Sequence, residues 1–281
     1  MAGLTTRFAP SPTGPLHLGH AYSALCAWDR AQKSGGQFLL RIEDIDSPRC
    51  RPEYEAAIHD DLRWLGLRWP VPVMRQSTRL PTYRTALDAL ADQGLTYHCS
   101  CTRGDIRAAL SAPQEGVPVL GPDGLVYPGT CRDAGQHLPG AAVRLNMAAA
   151  MERLKEICFI DEGPEHPGQH HFDAAWMSER VGDIVLARRD IGTSYHLAVV
   201  LDDAAQGVDL VVRGADLFAA TAIHAVLQDL LSLPRPRYHH HRLIRDDQGR
   251  RLAKRDDARA LAKYRAEGAS PADIRKLVGL R

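Results

Sequence analysis

The sequence predicts an α/β fold, a βαβ sheet interrupted by an inserted small domain. Three observations carry this reading. Residues 5–42 run strand, helix, strand. From Tyr97 to about residue 170 the chain turns Gly- and Pro-rich and holds four of the six cysteines, among them the cluster Cys99, Cys101 and Cys131. From Gly182 the regular alternation resumes. At 281 residues the chain is long enough for one large α/β domain with a substantial insertion.

In order, a short strand at residues 5–8 enters a loop broken by proline and glycine. A helix follows over about residues 19–33, where Ala21, Leu25 and Trp28 recur at helical spacing. Gly35 and Gly36 end it, and residues 38–42 (FLLRI) form a buried strand followed by Glu43, Asp44 and Asp46. Amphipathic segments lie near 52–65 and 80–93. After the insertion, residues 182–187, 195–201 and 208–213 restore the alternation, and a helix spans about 217–231. Asp246 to Gly249 reads as a hairpin-type turn, and two short helical patterns close the chain. The expected division is 1–96 and 171–245 for the two halves of the sheet domain, 97–170 for the insertion, and 246–281 for a lysine-bearing loop and helical tail.

Composition narrows the function. The 35 basic residues against 34 acidic ones argue against a generic nucleic-acid coat, although arginines cluster over 235–255. No run reaches the ~18 apolar residues of a membrane span, and the N-terminus lacks a signal-peptide pattern, so a soluble cytoplasmic protein is expected. In a reducing compartment, gathered cysteines favour a metal site over disulfides.

Two segments carry candidate chemistry. Arg7 to His20 reads RFAPSPTGPLHLGH and puts His17, Gly19 and His20 at the mouth of the first helix. A helix N-terminus offers unpaired N–H donors and partial positive charge to a phosphate. Far along the chain, Arg251 to Arg255 reads RLAKR, and Lys254 supplies a second cationic clamp. Taken singly each signal is weak. Together they point to a nucleotide pocket closed from two sides of one sheet.

The RFAPSPTGPLHLGH segment resembles the first signature of class I glutamyl-tRNA synthetases. RIEDID over residues 41–46 is similar to their second-strand motif. Asp190 to Asp203, with Tyr195 and the Asp202–Asp203 pair, and VRGAD over 212–216 are similar to later blocks. RLAKR resembles their Lys-Met-Ser-Lys-Ser loop. The resemblance runs in order from residue 5 to about 265 and implies a Rossmann-type class I aminoacyl-tRNA synthetase catalytic domain. About 25 residues follow the lysine loop, too few for an anticodon-binding domain. With Arg213-Gly-Ala-Asp216-Leu217, this is similar to the truncated family of glutamyl-queuosine tRNA(Asp) synthetases.

That resemblance implies activation of L-glutamate by ATP, with Mg2+, and transfer of glutamate to queuosine in the anticodon of tRNA(Asp) by a monomer. His17, Gly19, His20, Lys254 and Arg255 are then expected at ATP, with His17, His20 and Lys254 catalytic. Arg7, Phe8, Ala9, Pro10, Ser11, Glu43, Tyr195 and Arg213 are expected at glutamate. The arginines suit its two carboxylates because a guanidinium fork binds a carboxylate bidentately, and Glu43 suits its ammonium. Three departures stand out: Ala253 at the expected serine, Arg251 at the first lysine, and His196 where glutamine is expected.

Cys99, Cys101 and Cys131 offer three thiolates for one structural Zn2+, which needs a fourth ligand. The family resemblance implies Tyr127, and His98 and His137 are competitors. Cys26, Cys50 and Cys158 read as ordinary thiols. The run His239 to His241 lies in a predicted strand, where alternate side chains diverge, which disfavours a metal site. Two other readings stand beside the leading one. They are a minimal glutamyl-tRNA synthetase charging a tRNA 3′ end and a non-catalytic zinc-bearing RNA-binding module.

Overall fold

The computed structural model describes residues 3–110, 119–135, 137–245 and 259–280. Its first half runs β1 (Thr5–Phe8), α1 (Leu18–Lys33), β2 (Gln37–Ile42), α2 (Pro52–Trp64), β3 (Met74–Arg75), α3 (Leu80–Asp92), β4 (Thr96–Cys99) and α4 (Arg103–Leu110). Next come β5 (Leu120–Gly121), β6 (Gly124–Leu125), β7 (Ala142–Leu145), α5 (Met147–Leu154), β8 (Glu156–Asp161), β9 (Gly168–Asp173) and α6 (Ala174–Trp176). The chain finishes with β10 (Val185–Ala187), α7 (Tyr195–Ala205), β11 (Leu210–Gly214), α8 (Ala220–Leu230), β12 (Arg237–His241), α9 (Leu261–Ala266) and α10 (Pro271–Leu277).

Seven strands form the main sheet in the order β3-β2-β1-β11-β12-β8-β9. All neighbours are parallel except the β8–β9 pair. Parallel strands covered on both faces read as unbroken apolar runs, which is why FLLRI and LVV were legible as strands. Leu210 and Val212 of β11 pack with α1, α2 and α10, whereas Val211 between them packs with Phe159 and Tyr238. A second cluster joins α3, α5, α7 and α8. The connection from β1 runs to β2 on one side, and β11 pairs on its other side. The crevice beyond the carboxyl ends of β1 and β11 is the place where an open α/β sheet binds ligands.

The insertion differs from the expected 97–170. Residues 156–161 and 168–173 form β8 and β9, which extend the main sheet. Conversely, β10 leaves the main sheet and joins β4 and β7 in a three-stranded antiparallel sheet. Alternating patterns such as EICFID state that a strand exists, but not which sheet it joins. Residues 195–201 belong to a helix, α7, started by Ser194, whose hydroxyl accepts the Leu197 N–H at 3.3 Å. Among the described residues no helix is long and apolar enough to cross a membrane.

Candidate active site

Beyond the ends of β1, β2 and β11 lies a cavity of about 510 Å3. Its wall includes Arg7, Phe8, Ala9, Pro10 and Ser11 from the first strand and its loop. His17, Gly19 and His20 come from the start of α1, Glu43 from the end of β2, Tyr195 from α7 and Arg213 from β11. Lys254 and Arg255, with Arg251, Ala253 and the turn at 246–249, lie outside the described residues. The described flanks of that segment both reach this region: Ile244 lines the cavity, and Ala260 bridges to His17.

His17 is the N-cap of α1. Its Nδ1 accepts the Gly19 N–H at 3.1 Å, and the Nδ1 of His20 accepts the His17 N–H at 3.2 Å. An imidazole acting as a cap in place of the usual Ser, Thr or Asp satisfies the same orphan donors. With both Nδ1 atoms accepting, the proton of each neutral ring sits on Nε2. The two rings lie against each other, tilted by 32° with centroids 3.8 Å apart. Gly19 makes room for this, because a Cβ there would lie 3.0 Å from Cε1 of His17.

The two arginines of the cavity are held very differently. Arg7 donates from Nε and Nη2 to the two oxygens of Asp203 at 3.0 and 3.3 Å, and from Nη1 to the Val212 carbonyl at 3.4 Å. Of its five N–H groups, one on each terminal nitrogen is left. Asp203 also accepts from Arg41 at 2.6 Å, and Arg41 reaches Glu43 at 3.1 Å. Burial raises the Asp203 carboxyl, but Arg7 and Arg41 together outweigh it and hold it below the usual range. Burial pushes Glu43 up, opposed by Arg41 and Arg7. Asp202 faces the other way and accepts from Gln76, Arg79 and Tyr83 at 2.9, 2.5 and 2.7 Å.

Arg213 touches no carboxylate among the described residues. Its Nε donates to Nε2 of His240 at 3.1 Å and its Nη1 to Nδ1 of His224 at 3.1 Å. Its Nη2 donates to the Thr221 hydroxyl at 2.7 Å and the Leu217 carbonyl at 3.3 Å. One N–H on Nη1 is left, so the bidentate clamp expected of Arg213 is reduced here to a single donor. Its charge, however, is met only by neutral acceptors. Burial and Arg213 itself hold His224 well below the ordinary imidazole range, and burial lowers His240 as well. Asp161 takes the other ring nitrogen of His240. All three residues of the 239–241 run are buried, His241 in the wall of the cavity, and none joins a metal-type cluster among the described residues.

The candidate metal centre lies at the edge of the small sheet. Cys99 ends β4, Cys101 follows it, and the three Sγ atoms of Cys99, Cys101 and Cys131 lie within 4.8 Å of one another. The Tyr127 hydroxyl sits 3.5 Å from Cys99 Sγ and 3.4 Å from Cys101 Sγ, and Cys101 and Cys131 are 3.5 Å apart. Tetrahedral zinc with Zn–S of about 2.3 Å and Zn–O of about 2.0 Å sets S···S near 3.8 Å and S···O near 3.5 Å. The donor set fits. Neither His98 nor His137 joins the group of ligand atoms within 4.8 Å of one another, and the Nδ1 of His98 is engaged with Leu138, 2.8 Å away. The Arg144 guanidinium lies 3.9 Å over the Tyr127 ring, a cation–π contact, and burial together with the neighbouring thiols pushes the Tyr127 hydroxyl above the usual phenol range. Asp183 anchors this region by accepting from Tyr97, Arg132 and the Met147 N–H.

A second cavity of about 1000 Å3 opens between this centre and the first, sharing Tyr195 and Leu217 with it. Five arginines, at 103, 107, 144, 188 and 189, line it against Asp123, Asp183 and Asp190. Sequence reasoning missed the supporting residues Asp203, His224, His240 and Asp161. The Asp202–Asp203 pair carried a signal, as two adjacent acids in an otherwise apolar helix, and His240 stood out only as part of the histidine run 239–241.

The fold and the cavity place the chain in a class. It belongs to the family described as tRNA synthetases class I (E and Q), catalytic domain, whose profile matches residues 3–117 and 169–281. Among curated relatives it is 63% identical to the glutamyl-Q tRNA(Asp) synthetase of Rhodobacter capsulatus, covering 99% of this chain and 100% of that protein. The glutamyl-Q tRNA(Asp) synthetase of Nocardia farcinica is 43% identical, with 97% and 82% covered. Among solved structures, a glutamate tRNA ligase from Elizabethkingia meningosepticum in complex with its amino acid superposes with TM-score 0.77 at 26% identity. The match covers 98% of this chain, which spans 60% of that ligase chain.

Proposed function

We propose that this protein activates L-glutamate with ATP and transfers the glutamyl group to queuosine in the anticodon of tRNA(Asp), in the cytoplasm. The single observation that carries the reading is the shared cavity. Two arginines and an acid on its sheet side share that cavity with His17 and His20 at the start of α1. Glutamate brings two carboxylates and one ammonium, and Arg7, Arg213 and Glu43 match those charges one for one. Tyr195 adds a hydroxyl and the Ala9 to Ser11 backbone forms the wall.

In the first step a glutamate carboxylate oxygen attacks the α-phosphorus of ATP and pyrophosphate leaves from the opposite side. Such a reaction calls mainly for positioning and charge stabilisation. His17 and His20 donate to phosphate oxygens, and Lys254 and Arg255 meet the leaving pyrophosphate, which ATP carries in with Mg2+. In the second step a hydroxyl of the RNA attacks the carbonyl of the mixed anhydride and AMP departs. The RNA enters through the arginine-lined second cavity, which opens at Tyr195. Cys99, Cys101, Cys131 and Tyr127 would hold one Zn2+, which stiffens the small sheet bordering that entrance.

The acceptor follows from chemistry that the names of the relatives share. Queuosine carries a vicinal diol similar to a terminal ribose, so a site suited to a ribose hydroxyl accepts it with the same mechanism. The test uses radioactive glutamate, ATP and tRNA(Asp) with either queuosine or guanosine in the anticodon, followed by digestion to nucleosides. Label on queuosine alone is expected. Label on the 3′-terminal adenosine would move the chain to a minimal glutamyl-tRNA synthetase, and failure of glutamate-dependent ATP–pyrophosphate exchange would leave an RNA-binding module.

A further inference from the structure

Arg213 does not end its hydrogen bonding at His224. An arginine only donates, so Nδ1 of His224 must accept and the proton of that ring must sit on Nε2. That Nε2 lies 3.1 Å from Nδ1 of His196, which must accept in turn, and the proton of His196 is thereby placed on its own Nε2. The His196 Nε2 lies 3.2 Å from a carboxylate oxygen of Asp123. Every donor in the series points the same way, from Arg213 through His224 and His196 to Asp123. His224 is 2% exposed and His196 6%, so water does not substitute easily for either ring.

The far end of this series belongs to a different part of the molecule. Asp123 sits in the turn between β5 and β6, in the inserted region, and is part of the wall of the second cavity. His196 is the position at which the family resemblance leads one to expect glutamine. Both side chains can accept at one atom and donate at another, so the departure keeps the hydrogen-bonding pattern.

We propose that His224 and His196 are positioning residues that fix the Arg213 guanidinium in the glutamate pocket and tie it to the inserted hairpin through Asp123. The inference rests on the functional reading above, in which Arg213 meets a glutamate carboxylate. It adds that the grip of Arg213 on that carboxylate depends on two imidazoles that do not line the glutamate cavity. Loss of the His196 acceptor leaves the His224 ring free to turn, and Arg213 then loses the partner that sets its orientation.

The test is steady-state ATP–pyrophosphate exchange, with KM for glutamate and KM for ATP determined separately, on variants with wild-type thermal melting. His196→Leu is expected to raise KM for glutamate about tenfold, with kcat and KM for ATP changed by less than about twofold. His196→Gln, which keeps one acceptor and one donor, is expected to restore KM for glutamate to within about twofold of wild type. The double variant His196→Leu/His224→Asn should be no worse than the more impaired single variant, because members of one series are not additive. An unchanged KM for glutamate in His196→Leu, a parallel rise in KM for ATP, or equal defects in the Leu and Gln variants would each overturn the proposal. Absence of glutamate-dependent exchange in the wild-type chain would overturn the functional reading and this inference with it. Normal wild-type exchange beside unaffected variants would overturn this inference alone.

Discussion

Arg7 and Asp203, 196 residues apart in the chain, form a two-pronged buried ion pair with N···O distances of 3.0 and 3.3 Å. Both side chains are almost completely removed from solvent. Asp203 simultaneously accepts from Arg41, so one carboxylate on α7 aligns an arginine from each of two neighbouring strands. Arg7 is thereby held rigid and partly neutralised, while Arg213 across the cavity keeps its full charge.

Asp203→Asn should destabilise the fold by about 3 kcal/mol, since two buried guanidinium groups lose their common anion. Urea denaturation measures it. A loss below about 1 kcal/mol would mean that water reaches the pair.

Glutamate should be activated far better than glutamine. Replacing a carboxylate by an amide leaves the buried Arg7 or Arg213 under-paired, at a cost of about 3 kcal/mol, which is roughly a hundredfold in kcat/KM. Exchange assays with the two amino acids decide it. Comparable efficiencies would show that neither arginine meets the side-chain carboxylate.

Gly19→Ala separates stability from nucleotide use. Alanine in a helix is favoured over glycine by about 1 kcal/mol, and loss of the His17 cap costs about 1 kcal/mol, so the melting temperature should stay close to that of wild type. The new Cβ would crowd the His17 ring at 3.0 and 3.1 Å and displace the imidazole from its cap. KM for ATP is expected to rise about tenfold. A variant with unchanged KM for ATP would remove His17 from the nucleotide site.

Purified protein should contain one zinc per chain by elemental analysis. Cys99→Ser, Cys101→Ser or Cys131→Ser should each lower that content and increase hydrogen exchange around β4 and β7 before the main sheet opens, because metal binding and local folding are coupled there. Unaltered exchange in a metal-free variant would reduce the cluster to three packed thiols.

Asp61 provides a pH test away from the site. It is 4% exposed near the C-terminal end of α2, and burial raises its carboxyl to about 6 from 3.8, although Arg265 opposes the shift. The folded state therefore binds a proton more tightly than the unfolded one, and wild-type stability falls as pH rises from 4 through 6. Asp61→Asn, always neutral, should gain about 1–2 kcal/mol over wild type at pH 8 after allowance for solvent screening. The gain should fade as pH drops through 6 toward 4. Melting curves at pH 8 and pH 4.5 check both halves, and an equal gain at the two pH values would assign it to helix propensity or packing.

The chain order alone carried the local features. His17, Gly19 and His20 span one helical turn, so their meeting at the start of α1 follows from spacing, and Cys99 and Cys101 are neighbours on any backbone. Runs such as FLLRI announce buried strands because parallel strands covered on both sides have no polar face. The pairing of Arg7 with Asp203, the imidazole cradle around Arg213, and the departure of β10 to the small sheet could not be read in this way. Each depends on how the elements pack, whether it joins Arg7 to Asp203 across 196 positions or Arg213 to His224 and His240 across 11 and 27. Whether a guanidinium is left with two donors or one is settled by those distant partners, and in this molecule they give Arg7 a carboxylate and Arg213 two neutral histidines.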